Sequence, residues 1–179
     1  MSTPFDDVLA SFQLGESETL LRLEGPEQFS RAELVLIRQA KHKLYILTPD
    51  FEPDRYNSVH FADVLSSFIR RSRFVDARIL IGDPTIAVRW GHKVVNLARR
   101  LPSKLRIRQL NKQDFDTEKE KGEAWIVADG IGLLRRDPGD GMKGMLAAKS
   151  IPSAQRASDK FQEMWERARE VQDFRNLDI

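Results

Sequence analysis

The sequence predicts an α/β layered fold with a mostly parallel central sheet, helices on both faces and a late β-hairpin. Three observations carry that expectation. Apolar runs of strand length alternate with stretches of helical period, the order that places crossover helices over parallel strands. Two of those runs, Leu44-Tyr45-Ile46-Leu47 and Ala77 to Ile81, have the apolar density of strands covered on both sides. The third is the stretch from Gly122 to Arg136, with short apolar strands on either side of Asp129-Gly130. A two-residue hairpin turn needs positive φ at both positions, and Asp-Gly suits it.

Taken in order, Met1 to about Ser17 is polar and acidic, a short helix or a loosely held arm. The expected division is an arm over 1–18 and a single domain over 19–179. Thr19 to Leu23 is a first strand closed by Gly25-Pro26, and Ser30 with Glu33 forms a capping box opening a helix buried through Leu34, Ile37 and Ala40. After the Leu44–Leu47 strand and the loop Asp50 to Tyr56, a helix over about Ser58 to Arg71 carries Phe61, Val64, Leu65 and Phe68 on one stripe. Asp83-Pro84 then caps one long helix with Trp90, Val94, Leu97, Ala98 and Leu101 as its apolar face. Leu105 and Ile107 alternate with Arg106 and Arg108, a strand with one open face. Asn111 to Lys121 is a polar loop before the hairpin, and Asp137 to Gly141 is dense in turn residues. Met145 to Ala148 makes a last strand, and a final helix from near Ser153 buries Phe161, Met164, Trp165 and Ala168.

Composition narrows the function classes. The 179 residues are 41% hydrophobic and 31% charged, values of a soluble globular domain. No apolar run approaches the ~20 residues that span a bilayer, and the start lacks the pattern of a secretory signal. Cysteine is absent, which removes disulfides, thiol nucleophiles and Cys-ligated zinc and suits a cytoplasmic location. Net charge is +2, but Arg70 to Lys112 holds twelve Lys/Arg against two acids, while the first 34 residues hold seven acids against two bases. Such asymmetry marks either a nucleic-acid footprint, with Arg70, Arg71, Arg99, Arg100, Arg106 and Arg108 as its residues, or merely solvated faces of helices and a strand.

The order from Phe29 to Ala168 resembles one half of a phospholipase D-like protein: helix, strand Lys43 to Thr48, helix, strand Ala77 to Ile81, a later motif hairpin, and a last helix with Phe161 and Trp165 four apart. The resemblance places the family's His-x-Lys-x4-Asp motif on the hairpin. Asp129 fills the Asp slot, but the His slot is Gly122 and the Lys slot is Ala124. In the family the His attacks phosphorus to give a phosphohistidine, the Lys holds phosphate oxygens and the Asp assists. The Gly-Ser-x-Asn that follows would fall on Arg136-Asp137-Pro138-Gly139, which matches none of it. Neither glycine nor alanine can act as nucleophile or charge stabiliser. The resemblance thus implies a fold without its usual chemistry, no catalytic residue, no cofactor, and a two-fold homodimer by analogy with single-copy members.

The expected role is that of a catalytically inactive domain binding an anionic ligand or a protein partner, with Arg135, Arg136 and Lys149 as anion-binding candidates in the crevice beyond the strand carboxyl ends. Nucleic-acid binding is the alternative, and a phosphodiester-processing enzyme using Asp50, Glu52 or Glu123 is the second. Three isolated histidines provide no metal-ligand spacing: His42 is expected in solvent, His60 partly buried, and His92 exposed within the long helix.

Overall fold

A computed structural model describes residues 2–49, 51–90, 92–139 and 141–174. Helix α1 (Pro4–Ala10) opens the chain behind a Thr3/Asp6 capping box, and Leu9 and Phe12 pack into the core. Strand β1 (Leu20–Glu24) passes directly into α2 (Gly25–Gln39). The Ser30 capping box is therefore not the helix start. Pro26 sits in the first turn, where its missing N–H costs nothing, and the Gln28 amide oxygen accepts from the Glu24 N–H at 2.8 Å. Glu33 turns inward, and Leu34 is only partly buried; Phe29, Ala32, Leu36 and Ile37 form the buried face.

Strand β2 (Lys43–Thr48) leads through the four-residue α3 (Pro53–Tyr56) to α4 (Val59–Arg70), which Ser58 caps by accepting from the Phe61 N–H. All four stripe residues of α4 are buried. Strand β3 (Asp76–Ile81) follows. The long helix expected next is two, α5 (Thr85–Trp90) and α6 (Lys93–Arg100). Asp83 caps the first, accepting from the Thr85 N–H at 2.9 Å. His92 ends the continuity: its backbone is extended, and its Nδ1 accepts from the Val94 N–H at 3.2 Å. The Trp90 side chain, named above in the stripe, lies outside the described residues.

Strand β4 (Leu105–Gln109) is followed by α7 (Lys112–Lys121) where a loop was expected. This helix lacks an apolar stripe, so periodicity could not reveal it. Polar pairs hold it instead: Asn111 Oδ1 accepts from the Asp114 N–H at 2.7 Å, and Lys160 and Arg167 of α8 (Ile151–Arg167) pair with Glu118 and Asp114 at 2.8 and 3.0 Å. Strands β5 (Ala124–Ala128), β6 (Gly132–Arg136) and β7 (Lys143–Ala147) form a meander, and β8 (Arg169–Glu170) is a short edge. Asp140, in the expected turn between β6 and β7, lies outside the described residues.

These strands form one sheet in the order β1-β7-β6-β5-β2-β3-β4-β8. Only β2–β3 and β3–β4 pair in parallel, and the other five pairings are antiparallel. The expectation of a mostly parallel sheet is corrected to a mixed, mostly antiparallel one. A strand buried on both faces reads the same in either direction, so the apolar runs could not tell them apart. Helices do cover both faces. The α2, α4 and α6 side packs on Ile46, Ile79, Ile126 and Leu134; the α8 side packs Phe161, Met164 and Trp165 on Tyr45, Leu80, Trp125 and Leu133. Among the described residues no helix is long and apolar enough to cross a membrane.

Candidate functional site at the open end of the hairpin

The β5–β6 hairpin closes on Asp129 and Gly130, both with positive φ (55° and 67°), as the dipeptide predicts. Asp129 does more than turn the chain. Its carboxylate accepts the backbone N–H groups of Lys41, His42 and Lys43, each at 2.8 Å, and so pins the start of β2 to the turn. An ionised acceptor of three amides is among the stronger hydrogen-bonding arrangements available to a side chain. This end of the hairpin is structural.

The other end holds the slots that the resemblance assigns to His and Lys. Gly122 is the left-handed cap of α7: its φ is 66°, and its N–H donates to the Glu118 carbonyl at 2.9 Å. A side chain there would meet Pro138 and Gly139 backbone from 3.6 Å. Ala124 is buried, at 5% exposure, on the face that carries Ile126 and Ala128. Arg136 lies directly opposite Ala124, two residues beyond Leu134 on the same face.

Arg136 begins a chain of charges. Its Nη1 donates to Glu52 Oε1 at 2.6 Å; Glu52 Oε2 accepts from Arg55 Nη1 at 3.2 Å; Arg55 Nη2 donates to Glu33. Glu33 and Arg55 are almost fully buried, at 1% and 5%, whereas Glu52 and Arg136 stay about a quarter exposed. Arg55 lies 5.5 Å from the Phe29 ring and 5.0 Å from the Tyr56 ring, which hold its guanidinium in place. Beside it, Tyr56, Phe51 and His92 stack in sequence, the Phe51 and His92 rings 4.1 Å apart. The expected crevice is thus filled by side chains beyond β2. Beyond β3 and β4 it opens as a cleft of 360 Å³ lined by Asp83, Gln109, Lys112, Phe115 and Arg169.

His92 corrects the expectation of an exposed helical histidine. It is 2% exposed, and burial, with the Lys93 charge adding to it, pulls its pKa down to about 4. Burial likewise raises the Tyr56 hydroxyl above its ordinary value. His60 is exposed rather than partly buried, and His42 is exposed as expected. Among the described residues no three His, Asp or Glu side chains converge as metal ligands would.

The predicted anion-binding residues are not brought together. Arg135 points to the α8 face and pairs with Asp137 at 3.1 Å, Arg136 points to the opposite face, and Lys149 lies at the turn end of the sheet, 3.7 Å from Glu18. The six predicted nucleic-acid arginines divide likewise. Arg70, Arg71, Arg99 and Arg100 end α4 and α6; Arg71 caps the Arg38 and Ala40 carbonyls, and Arg99 donates to the Phe174 carbonyl. Arg106 and Arg108 lie on the α8 face, 5.9 and 4.6 Å from the Trp165 ring. That face of β4, expected to be open, is partly covered by Trp165: Arg108 is half-buried, while Arg106 stays exposed. Of the carboxylates considered for acid–base work, Glu52 is held by the two arginines, Glu123 lies 3.9 Å from Lys160, and Asp50 lies outside the described residues.

Sequence reasoning missed Arg55 and the role of Glu33. A signal existed: Glu33 sits four residues from both Phe29 and Ile37, a carboxylate on an apolar stripe, which requires a buried partner.

The sheet, its covering helices and the motif hairpin define a phospholipase D-like fold. Nuc, a phospholipase D family member from Salmonella typhimurium, matches with a TM-score of 0.63 over 86% of this chain and 97% of its own, at 12% identity. NucT from Helicobacter pylori matches at 0.61 over 86% and 99%, at 11% identity. TrmBL2, an archaeal chromatin protein described with a novel mode of DNA binding, matches at 0.65 over 91% of this chain, with 16% identity; the chain spans 57% of that protein. The chain belongs to the family described as a domain of unknown function, DUF7931, whose model matches residues 25–177. No curated protein matches the sequence.

Proposed function

We propose that the chain is a catalytically inactive phospholipase D-like domain that acts as a binding or regulatory module. The observation that carries this reading is the use made of the two catalytic slots. Gly122 stops α7 in a backbone conformation that a histidine adopts only under strain, and Ala124 contributes a buried methyl group. Phosphoryl transfer through a covalent intermediate needs an activated nucleophile and a cation on the phosphate oxygens, and these positions supply neither. Intact-mass spectrometry after rapid quenching with a phosphodiester substrate tests the reading. Unmodified protein is expected, and a phosphoryl adduct on any histidine would overturn it.

A second reading, nucleic-acid binding, is favoured by the likeness to the DNA-binding chromatin protein and by the basic surplus between Arg70 and Lys112. The split of its arginines over two faces argues for a footprint built from the α4 and α6 ends alone, with Arg70, Arg71 and Arg100 as its exposed members. Retention of duplex DNA on a filter, falling steeply between 50 and 200 mM salt, is the expected signature of phosphate contacts. No retention at low salt would remove this reading.

A further inference from the structure

Glu52 has the position of an internal ligand. Its two oxygens are shared between two guanidinium groups from distant parts of the chain, Arg136 of β6 and Arg55 of α3. Arg55 is fixed between two aromatic rings and anchored behind by Glu33, so that side of the clamp exists whether or not Glu52 occupies it. The Nε groups of Arg55 and Arg136 are both buried and lack a hydrogen-bond partner among the described residues. Orphan donors of this kind are rare in folded proteins and mark positions where a partner is missing.

The segment that delivers Glu52 is itself under tension. Phe51, the residue before it, has φ of 46°, a conformation unfavourable for a bulky side chain. Glu52 does not use its carboxylate to cap α3, and a quarter of it remains in contact with solvent. Nothing else in the described structure ties that side chain down. The loop therefore holds a strained backbone and a carboxylate within reach of water.

Resting on the binding-module reading, we infer that Arg55 and Arg136 form an anion clamp that Glu52 occupies in the unliganded chain, and that an external oxyanion takes the place of Glu52. Charge selects the class of ligand. Glu33 and Glu52 balance Arg55 and Arg136, so withdrawal of Glu52 leaves one positive charge to be met. A singly charged oxyanion, a carboxylate or a phosphodiester, restores the balance; a dianion would overshoot it beside the buried Glu33. Guanidinium pairs suit both shapes through parallel N–H donors.

The test is chemical rescue. Glu52→Ala should lower the melting temperature by several degrees. Added propionate or dimethyl phosphate should recover it saturably, and sodium chloride at equal ionic strength should not. The more effective of the two probes identifies carboxylate or diester as the natural group. In Glu52→Ala/Arg136→Ala neither probe should act. The isosteric Glu52→Gln provides a second readout, in which the ¹⁵Nε–H resonances of Arg55 and Arg136 should move with the same saturation. Equal recovery by chloride, recovery that persists without Arg136, or unmoved Nε resonances would each overturn the clamp. A phosphoryl adduct in the mass experiment would overturn the inactive-module reading instead, so the two failures are distinguishable.

Discussion

The two ends of one hairpin have opposite characters. At the turn, Asp129 gathers three backbone amides and ties β5 and β6 to β2. At the open end, some five residues of strand away, Gly122 serves as a helix stop, Ala124 is small and buried, and the nearby charge is handled by Arg136, Glu52, Arg55 and Glu33. The motif position that stabilises the fold carries a carboxylate, whereas the two positions that the resemblance assigns to His and Lys are glycine and alanine. Residues that share a motif need not share a reason for being there.

The strongest way to stress this contrast is to break the buried pair at the open end. Glu33→Ala leaves the buried Arg55 guanidinium with only the Glu52 carboxylate, 3.2 Å away and shared with Arg136, and should cost about 3–5 kcal/mol in denaturant unfolding, because an undercompensated buried charge is worse than a missing pair. The turn end should come next. Asp129→Ala removes the acceptor for three amides and should cost about 2–3 kcal/mol, with faster hydrogen exchange at Lys41, His42 and Lys43. An exchange pattern unchanged at those amides would mean the turn is held some other way.

His92 separates the two ends by pH. The fold favours its neutral ring, with a pKa of about 4, while the unfolded chain takes up the proton near 6.5. Its stabilisation is therefore complete above about pH 6.5 and is lost as pH falls towards 4, a loss on the order of 3 kcal/mol. His92→Asn keeps an oxygen acceptor for the Val94 N–H but does not titrate, so melting temperatures between pH 7.5 and 5 should show a shallower slope in the variant. The smallest effect concerns the cap. Gly122→His should cost about 1 kcal/mol through its positive φ, readable as a modest shift in the unfolding midpoint.

Much of this was legible in the residues. The Asp129-Gly130 turn, the α4 stripe and the α8 stripe all follow from local rules, and each residue has one way to satisfy them. Strand direction was not legible, because β2 and β5 are both apolar runs and only pairing partners distinguish parallel from antiparallel. Helix α7 was hidden because long-range partners on α8, rather than an apolar face, stabilise it. The break at His92 and the clamp around Glu52 depend on contacts between loops far apart in sequence. Such contacts leave only indirect traces, such as a carboxylate on the apolar stripe of α2.

The most direct measurement is phosphodiester turnover by the purified chain, run beside Asp129→Asn at a temperature where both remain folded. The expected result is no hydrolysis of bis(4-nitrophenyl) phosphate above buffer by either protein, although the variant melts lower. Turnover by the unaltered chain that disappears in Asp129→Asn would contradict the account, since it would make the surviving motif residue chemical rather than structural.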